Sequence, residues 1–293
     1  MQTYLEYIQC FRFFDLGHEI DLARAQSLLS FLGSSDQFQF KRGTKSVILN
    51  ETPLILYFED QRVDLGQRTF NISLTAKMWN FGALSLSFKV PVPKDLTEPE
   101  LLSLADSLAD APIINSIAHE KAQSLIETLG ESIKKPSLWN QNEEYLVFID
   151  RRKGASLNEI QELLSSDYLA QLVMAEPRLR LSDQMKAQLR SLTLQYSNTD
   201  MLTVDWNCAY LITDEDVQEI CDVLEFANVQ LLELRYYDWL LDKKLNSLFK
   251  ELLKASPSFF NDRYQKLNRE ASQIYLEASD VVERIENAFK VVG

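Results

Sequence analysis

From Thr213 to Ala255 the chain carries neither glycine nor proline, and this stretch restricts the possible folds more than any other. A helix of that length spans roughly 60 Å at about 1.5 Å per residue, more than the width of a small domain. Part of it can therefore pack while part projects. Apolar residues recur at Val217, Ile220, Leu224, Ala227, Leu231 and Leu234. After Asp238 the pattern resumes at Leu241, Leu245, Leu248, Leu252 and Ala255, alternating steps of three and four, which is a heptad seam. A second stripe, formed by Val223, Phe226, Val229, Leu232, Tyr236 and Trp239 or Leu240, marks another face of the first half. The first half is thus expected to be buried on two sides. Thr213 followed by Asp216 predicts the cap, with acids in the positively polarised first turn.

After Ser256-Pro257-Ser258 the three-and-four spacing returns at Tyr264, Leu267, Ala271, Ile274, Ala278, Val281, Ile285, Ala288 and Val292. Two seams joined by a short proline-containing turn predict an antiparallel, coiled-coil-like helical hairpin over residues 213–293.

Upstream, residues 1–212 read as an α+β domain with an antiparallel β-sheet and packed helices. The clearest β signal is Phe70, Ile72, Leu74 and Ala76 alternating with Asn71, Ser73 and Thr75. It is followed by Leu84, Leu86, Phe88 and Val90 alternating with Ser85, Ser87 and Lys89. Asn80-Phe81-Gly82 supplies the turn of this hairpin. Two shorter runs between Val47 and Phe58, separated by Asn-Glu-Thr-Pro, predict another. The opening residues to Gly17 read as a strand, and Tyr145–Ile149, Leu192–Tyr196, Met201–Trp206 and Ala209–Ile212 as further strands. Helices are expected at Asp21–Phe31, Glu98–Ala109, Ile113–Lys134, after Ser156 with Glu159 three residues on, at Tyr168–Ala175 and at Asp183–Arg190.

Composition narrows the function. With 293 residues, 46% apolar, the chain can bury a substantial core. A net charge of −13 argues against nucleic acid as the main ligand, because duplex binding needs clustered basic side chains to displace counterions. Cys10, Cys208 and Cys221 have neither disulfide-framework nor metal-ligand spacing, which fits a reducing, cytoplasmic compartment. His119-Glu120 lacks the second histidine of a zinc helix. No metal and no cofactor is expected. The opening residues lack the basic start, apolar core and cleavage site of a signal peptide, and no run of about twenty apolar residues occurs in the sequence.

The run from Val223 to Leu245, with Phe259-Phe260 before Asp262 and a second amphipathic segment after it, resembles the C-terminal half of the Required for Meiotic nuclear Division family. That resemblance implies a hydrophobic C-terminal anchor and membrane association, and no catalytic residues. The heptads still run at Lys290–Gly293, so the chain is expected to continue toward an anchor absent from it.

Two candidate sites follow. Arg151, Arg152, Lys153 and Gly154, between a strand and a helix start, combine cations, a permissive glycine and helix-start amides that suit an anion such as phosphate. The more ordinary reading is a solvated basic loop. Leu234, Tyr236, Trp239, Leu241 and Ile274 are candidate partner-interface residues, since aromatic and apolar anchors dominate interface energetics. Glu233, Arg235 and Asp238 either face a pocket or partner or, with Arg235 paired to Asp238, form an exposed strip. The functional expectation is a non-enzymatic scaffold that associates with itself or another protein through its C-terminal helices. The alternative is a sensor or enzyme for a phosphorylated ligand at 151–154.

Overall fold

The computed structural model describes residues 4–32, 39–42, 52–66, 68–174, 181–214 and 216–253, and beyond these 268–269, 271–272, 275–276, 279 and 282. Its framework is β1 (Leu5–Asp15), flanked along its whole length. On one side lies β7 (Ala83–Pro91), and on the other β9 (Glu143–Asp150), both antiparallel to it. β6 (Arg68–Met78) forms with β7 the hairpin that the alternation predicts, Ser73 opposite Lys89 through Met78 opposite Leu84. Beyond β6 come β4 (Leu54–Tyr57) and β3 (Gln39–Arg42), and β5 (Gln61–Leu65) also pairs with β6. The first apolar run of the Val47–Phe58 hairpin lies outside the described residues. At the other edge β10 (Thr193–Leu194), β11 (Met201–Val204) and β12 (Cys208–Ile212) extend β9, completing a ten-stranded sheet.

The sheet is not antiparallel throughout. β12 runs parallel to β9, Cys208 opposite Leu146 through Ile212 opposite Asp150. The crossover between these two strands carries α4 (Leu157–Ser165), α5 (Asp167–Val173) and α6 (Asp183–Ser191). Both strands are buried on both faces, as parallel pairs generally are. α4 begins with a reciprocal capping box: Ser156 Oγ accepts from the Glu159 N–H at 3.3 Å, and Glu159 Oε2 accepts from the Ser156 N–H at 2.8 Å.

Strand periodicity divides the core in two. Ile8, Cys10 and Phe14 of β1, Leu84, Leu86 and Phe88 of β7 and Leu146 and Phe148 of β9 face the helices of one layer. These are α1 (Leu22–Leu32), α2 (Glu98–Ala109) and α3 (Pro112–Leu129), together with α4 to α6. On the same side Arg12 is fully buried, its guanidinium donating to Asn115 Oδ1 at 2.6 Å and to the Phe11 and Leu108 carbonyls. A two-stranded sheet, β2 (Glu19–Ile20) with β8 (Ile133–Lys134), ties the start of α1 to the end of α3. The other face presents Tyr7, Phe11 and Phe13 of β1 and Val147 and Ile149 of β9, and α7 (Val217–Leu253) is the one helix among the described residues that covers it. The architecture is three layers, helices on sheet on one long helix.

The predicted helical hairpin is corrected. The described residues hold one long C-terminal helix and no pair of packed antiparallel arms. Of the second seam, all but Ala271 lies outside the described residues. Physically, α7 finds its packing partner in the sheet, so its burial needs no second arm. The cap also shifts: α7 starts at Val217, and Asp216 Oδ1 accepts the Gln218 N–H at 2.9 Å.

Candidate functional site: the long helix and its outer face

Of the two stripes on α7, the second meets the sheet. Phe226, Val229 and Leu232, with Cys221, are buried against Tyr7, Phe11, Phe13, Trp79 and Leu211. Three polar contacts then fix where the helix lies. Lys77 on β6 reaches Asp222 at 2.7 Å and Glu225 at 2.5 Å, and Ser85 on β7 donates to the other oxygen of Glu225. Burial alone would push the Lys77 ammonium down, but Glu225 and Asp222, by charge and hydrogen bond, together hold it above its ordinary value. Further along, the buried carboxyls of Asp15 and Glu233 are hydrogen-bonded to each other. Arg235 pairs with Glu143 at the start of β9, at 2.5 Å. The expected Arg235–Asp238 pairing is therefore replaced by a contact from helix to sheet, and Asp238 is exposed.

Beyond Glu233 the helix passes an aromatic cluster before leaving the sheet. Trp139 packs edge-on to Tyr236 with ring centroids 5.4 Å apart and against Trp239 at 5.9 Å. Lys243 sets its ammonium 4.8 Å from the centroid of the Trp239 ring, a cation–π contact. Of the predicted interface residues, Tyr236 and Trp239 thus meet in this cluster. Leu234 is exposed, Leu241 is partly buried, and Ile274 lies outside the described residues.

Leu224 of the first seam is buried in the same cluster, with Val217 and Ile220 packed against it, and what remains open is the seam beyond it. Ala227 and Leu234 face solvent with Leu231 half-buried between them, and Leu245 and Phe249 further along are 51% and 62% exposed. Past Leu224, heptad positions that read as core in the sequence turn outward, Ala227, Leu234 and Leu245 among them. Lys77 and Asp15, which supply the anchoring, were not legible as partners. The available signals were a lysine closing the polar alternation of β6 and an acid ending the Phe-Arg-Phe-Phe run of β1.

The basic loop is organised around its own carboxylates. Arg152 is buried and engages Asp150 through Nη2 at 2.5 Å and Nε at 2.9 Å, and Tyr210 donates to the same Asp150 at 2.7 Å. Arg151 lies 3.7 Å from Glu6 and donates to the Thr213 carbonyl at 3.5 Å. The Gly154 amide, at φ +61°, donates to Asp214 at 3.0 Å. Lys153 is exposed. The three buried thiols are held protonated by burial, Cys10 and Cys221 each pushed up to about 12 and Cys208 raised as well. Among the described residues no group of three or more His, Cys, Asp or Glu side chains is placed to hold a metal ion.

Residues 6–219 match the family described as "Uncharacterized protein MJ0711, N-terminal domain". The chain belongs to this MJ0711 N-terminal domain family. The matched span contains the sheet and the helices beneath it and closes just inside α7. This corrects the resemblance to the Required for Meiotic nuclear Division family, which rested on the order of an acidic-aromatic helix, Phe259-Phe260 before Asp262 and a second amphipathic segment, an arrangement unrelated helical chains can share. No curated protein and no solved structure gives a match. The membrane and coiled-coil readings are corrected with it: among the described residues no helix is long and apolar enough to cross a membrane.

Proposed function

We propose that this family member is an assembly module that pairs with a second copy of itself through the outer face of α7. The observation that supports the reading is the exposed apolar side chains Leu234, Leu245 and Phe249 along a helix whose first part is fixed to the sheet. Patches of this kind on an anchored element mark interaction surfaces. The charge pattern favours an antiparallel second copy. Acidic Asp238 and Asp242 precede basic Lys243, Lys244 and Lys250. A two-fold axis near Lys243 sets Leu241 opposite Leu245 and Asp242 opposite Lys244, which is the self-complementarity an isologous contact requires. A single pair of helices lies at the small end of stable interfaces, below about 1,200 Å² in total, so the expected dissociation constant is roughly micromolar.

Solution mass across a micromolar to millimolar range tests this. The expected result is a monomer–dimer equilibrium that Leu245→Asp shifts to monomer while helical content and thermal midpoint stay unchanged. A monomer throughout, or a dimer indifferent to Leu245→Asp and Leu234→Asp, overturns it. A membrane tether rested on the resemblance alone, and nothing in the fold carries it further. The alternative of a phosphorylated ligand at 151–154 is not favoured, because Arg152 and the Gly154 amide already serve Asp150 and Asp214.

A further inference from the structure

On the opposite side of the sheet from α7, a cavity of about 330 Å³ opens between α2, α5, the start of β9 and the turn from β11 to β12. Its volume lies in the range of small-molecule sites. We propose that it binds a small organic cation, an amine carried on an apolar or aromatic body.

Three observations converge on that chemistry. The body of the cavity is apolar, formed by Leu102, Ala105 and Ala109 of α2, Leu146 and Phe148 of β9 and Leu172 of α5. Its polar lining is one-sided: Asp106 and Glu144 contribute carboxylates, and no lysine, arginine or histidine lines it. The Glu143 carboxylate turns to Arg235 on the α7 face, and Glu144 has Arg12 and the Asn142 amide each at 3.4 Å, with that guanidinium also serving Asn115 and two carbonyls. Burial holds the Glu144 carboxyl above its ordinary range despite Arg12, so a second positive charge beside it would be favoured. Finally, Asn207 lines the cavity with a buried side-chain oxygen that has no hydrogen-bond partner. A buried acceptor left unmade is costly, and a donor from a ligand would satisfy it.

The rim fits the same ligand. Trp206 at the β11–β12 turn is 76% exposed and lines the opening, where an indole face can cover an ammonium or an aromatic ring. Its neighbours are held firmly. The Asp205 N–H donates to the Cys208 carbonyl at 2.8 Å, and Tyr145 Oη donates to the same carbonyl at 2.9 Å. Every lining residue lies within the span that matches the family. An anion is disfavoured by the absence of any lining cation.

The test is calorimetric titration of the full chain near neutral pH with phenethylamine, with phenethyl alcohol as a neutral counterpart and 3-phenylpropionate as an anionic one. The amine is expected to bind at least tenfold more tightly than either counterpart. Asp106→Asn, on an exposed position that leaves the fold intact, is expected to weaken it severalfold. Glu144→Gln should weaken it more, and Ala109→Phe, which fills the cavity from the end of α2, should abolish it. Equal or tighter binding of the carboxylate, no binding of the amine, or binding that survives Ala109→Phe in a folded chain overturns the proposal.

Discussion

The carboxyl of Asp15, at the end of β1, is hydrogen-bonded to the carboxyl of Glu233 in the middle of α7. Such a pair requires a proton on one of its members. Burial drives the Asp15 pKa from 3.8 up to about 7, against the lowering effects of the Gly17 N–H and of Glu233 itself. Because the folded value is raised, the native chain keeps a proton between about pH 4 and pH 7 that the unfolded chain has released. Stability from this pair is therefore greatest at the acid end of the window and falls as pH rises through it. Asp15→Asn keeps the hydrogen bond without the charge. It is expected to flatten the stability–pH curve between pH 4 and 7 and to add on the order of 2 kcal/mol at pH 8. Urea unfolding at several pH values checks this; an unchanged slope in the variant would sink it.

Lys77 holds the other end of the helix. Replacing it with methionine leaves Glu225 buried with only the Ser85 hydroxyl beside it. Removing one member of a buried ion pair costs about 3–5 kcal/mol, mostly the penalty on the charge left behind. Lys77→Met is therefore expected to lower the urea midpoint strongly, and Lys77→Met/Glu225→Gln to recover a good part of the loss. If the double variant is no better than the single one, the cost lies in packing and not in charge.

The β6–β7 hairpin was legible because one of its faces is polar, and alternation reports that directly. The β9–β12 pairing was not: Tyr145–Ile149 and Cys208–Ile212 are buried on both faces, so they read as plain apolar runs that carry no information on direction. The long helix was legible from the absence of glycine and proline. Which stripe meets the sheet was not, because both are apolar and the deciding partners are remote, Lys77 and Glu225 being 148 positions apart. Nor did the chain announce its cavity. Asp205 and Trp206 read as the end of a strand, where the structure has a turn, and the significance of that turn depends on α2 and α5 closing over it.

Gly82 and Gly66 both have positive φ yet answer to different constraints. At Gly82, with φ +104°, an added Cβ would lie 1.9 Å from the Gly17 carbonyl oxygen. That contact belongs to backbone on both sides, and the two segments are also joined by the Leu16 N–H to the Gly82 carbonyl at 2.9 Å. At Gly66, φ +62°, a Cβ meets nothing within 4 Å. Gly66→Ala is expected to cost about 1 kcal/mol, the left-handed penalty alone. Gly82→Ala should exceed about 3 kcal/mol by adding the clash. Comparable thermal midpoints for the two would contradict the close approach of β1 and the β6–β7 turn.

The basic loop separates a structural role from a binding one. Arg152 is buried, bidentate to Asp150 and stacked with its guanidinium carbon 4.7 Å from the centroid of the Tyr4 ring. Asp150 is wholly buried and also receives the Tyr210 hydroxyl. Arg152→Ala therefore strands an acid in the core and is expected to destabilise by roughly 3 kcal/mol. Arg151→Ala removes a long contact to the exposed Glu6 and a weak bond to a carbonyl, and should change stability by less than about 1 kcal/mol. Inorganic phosphate in the millimolar range should then raise the thermal midpoint of the wild type no more than that of the Arg151→Ala chain. A phosphate-dependent rise that Arg151→Ala removes would reinstate the loop as an anion site, with Arg151 and Lys153 as its cations and Arg152 as its frame.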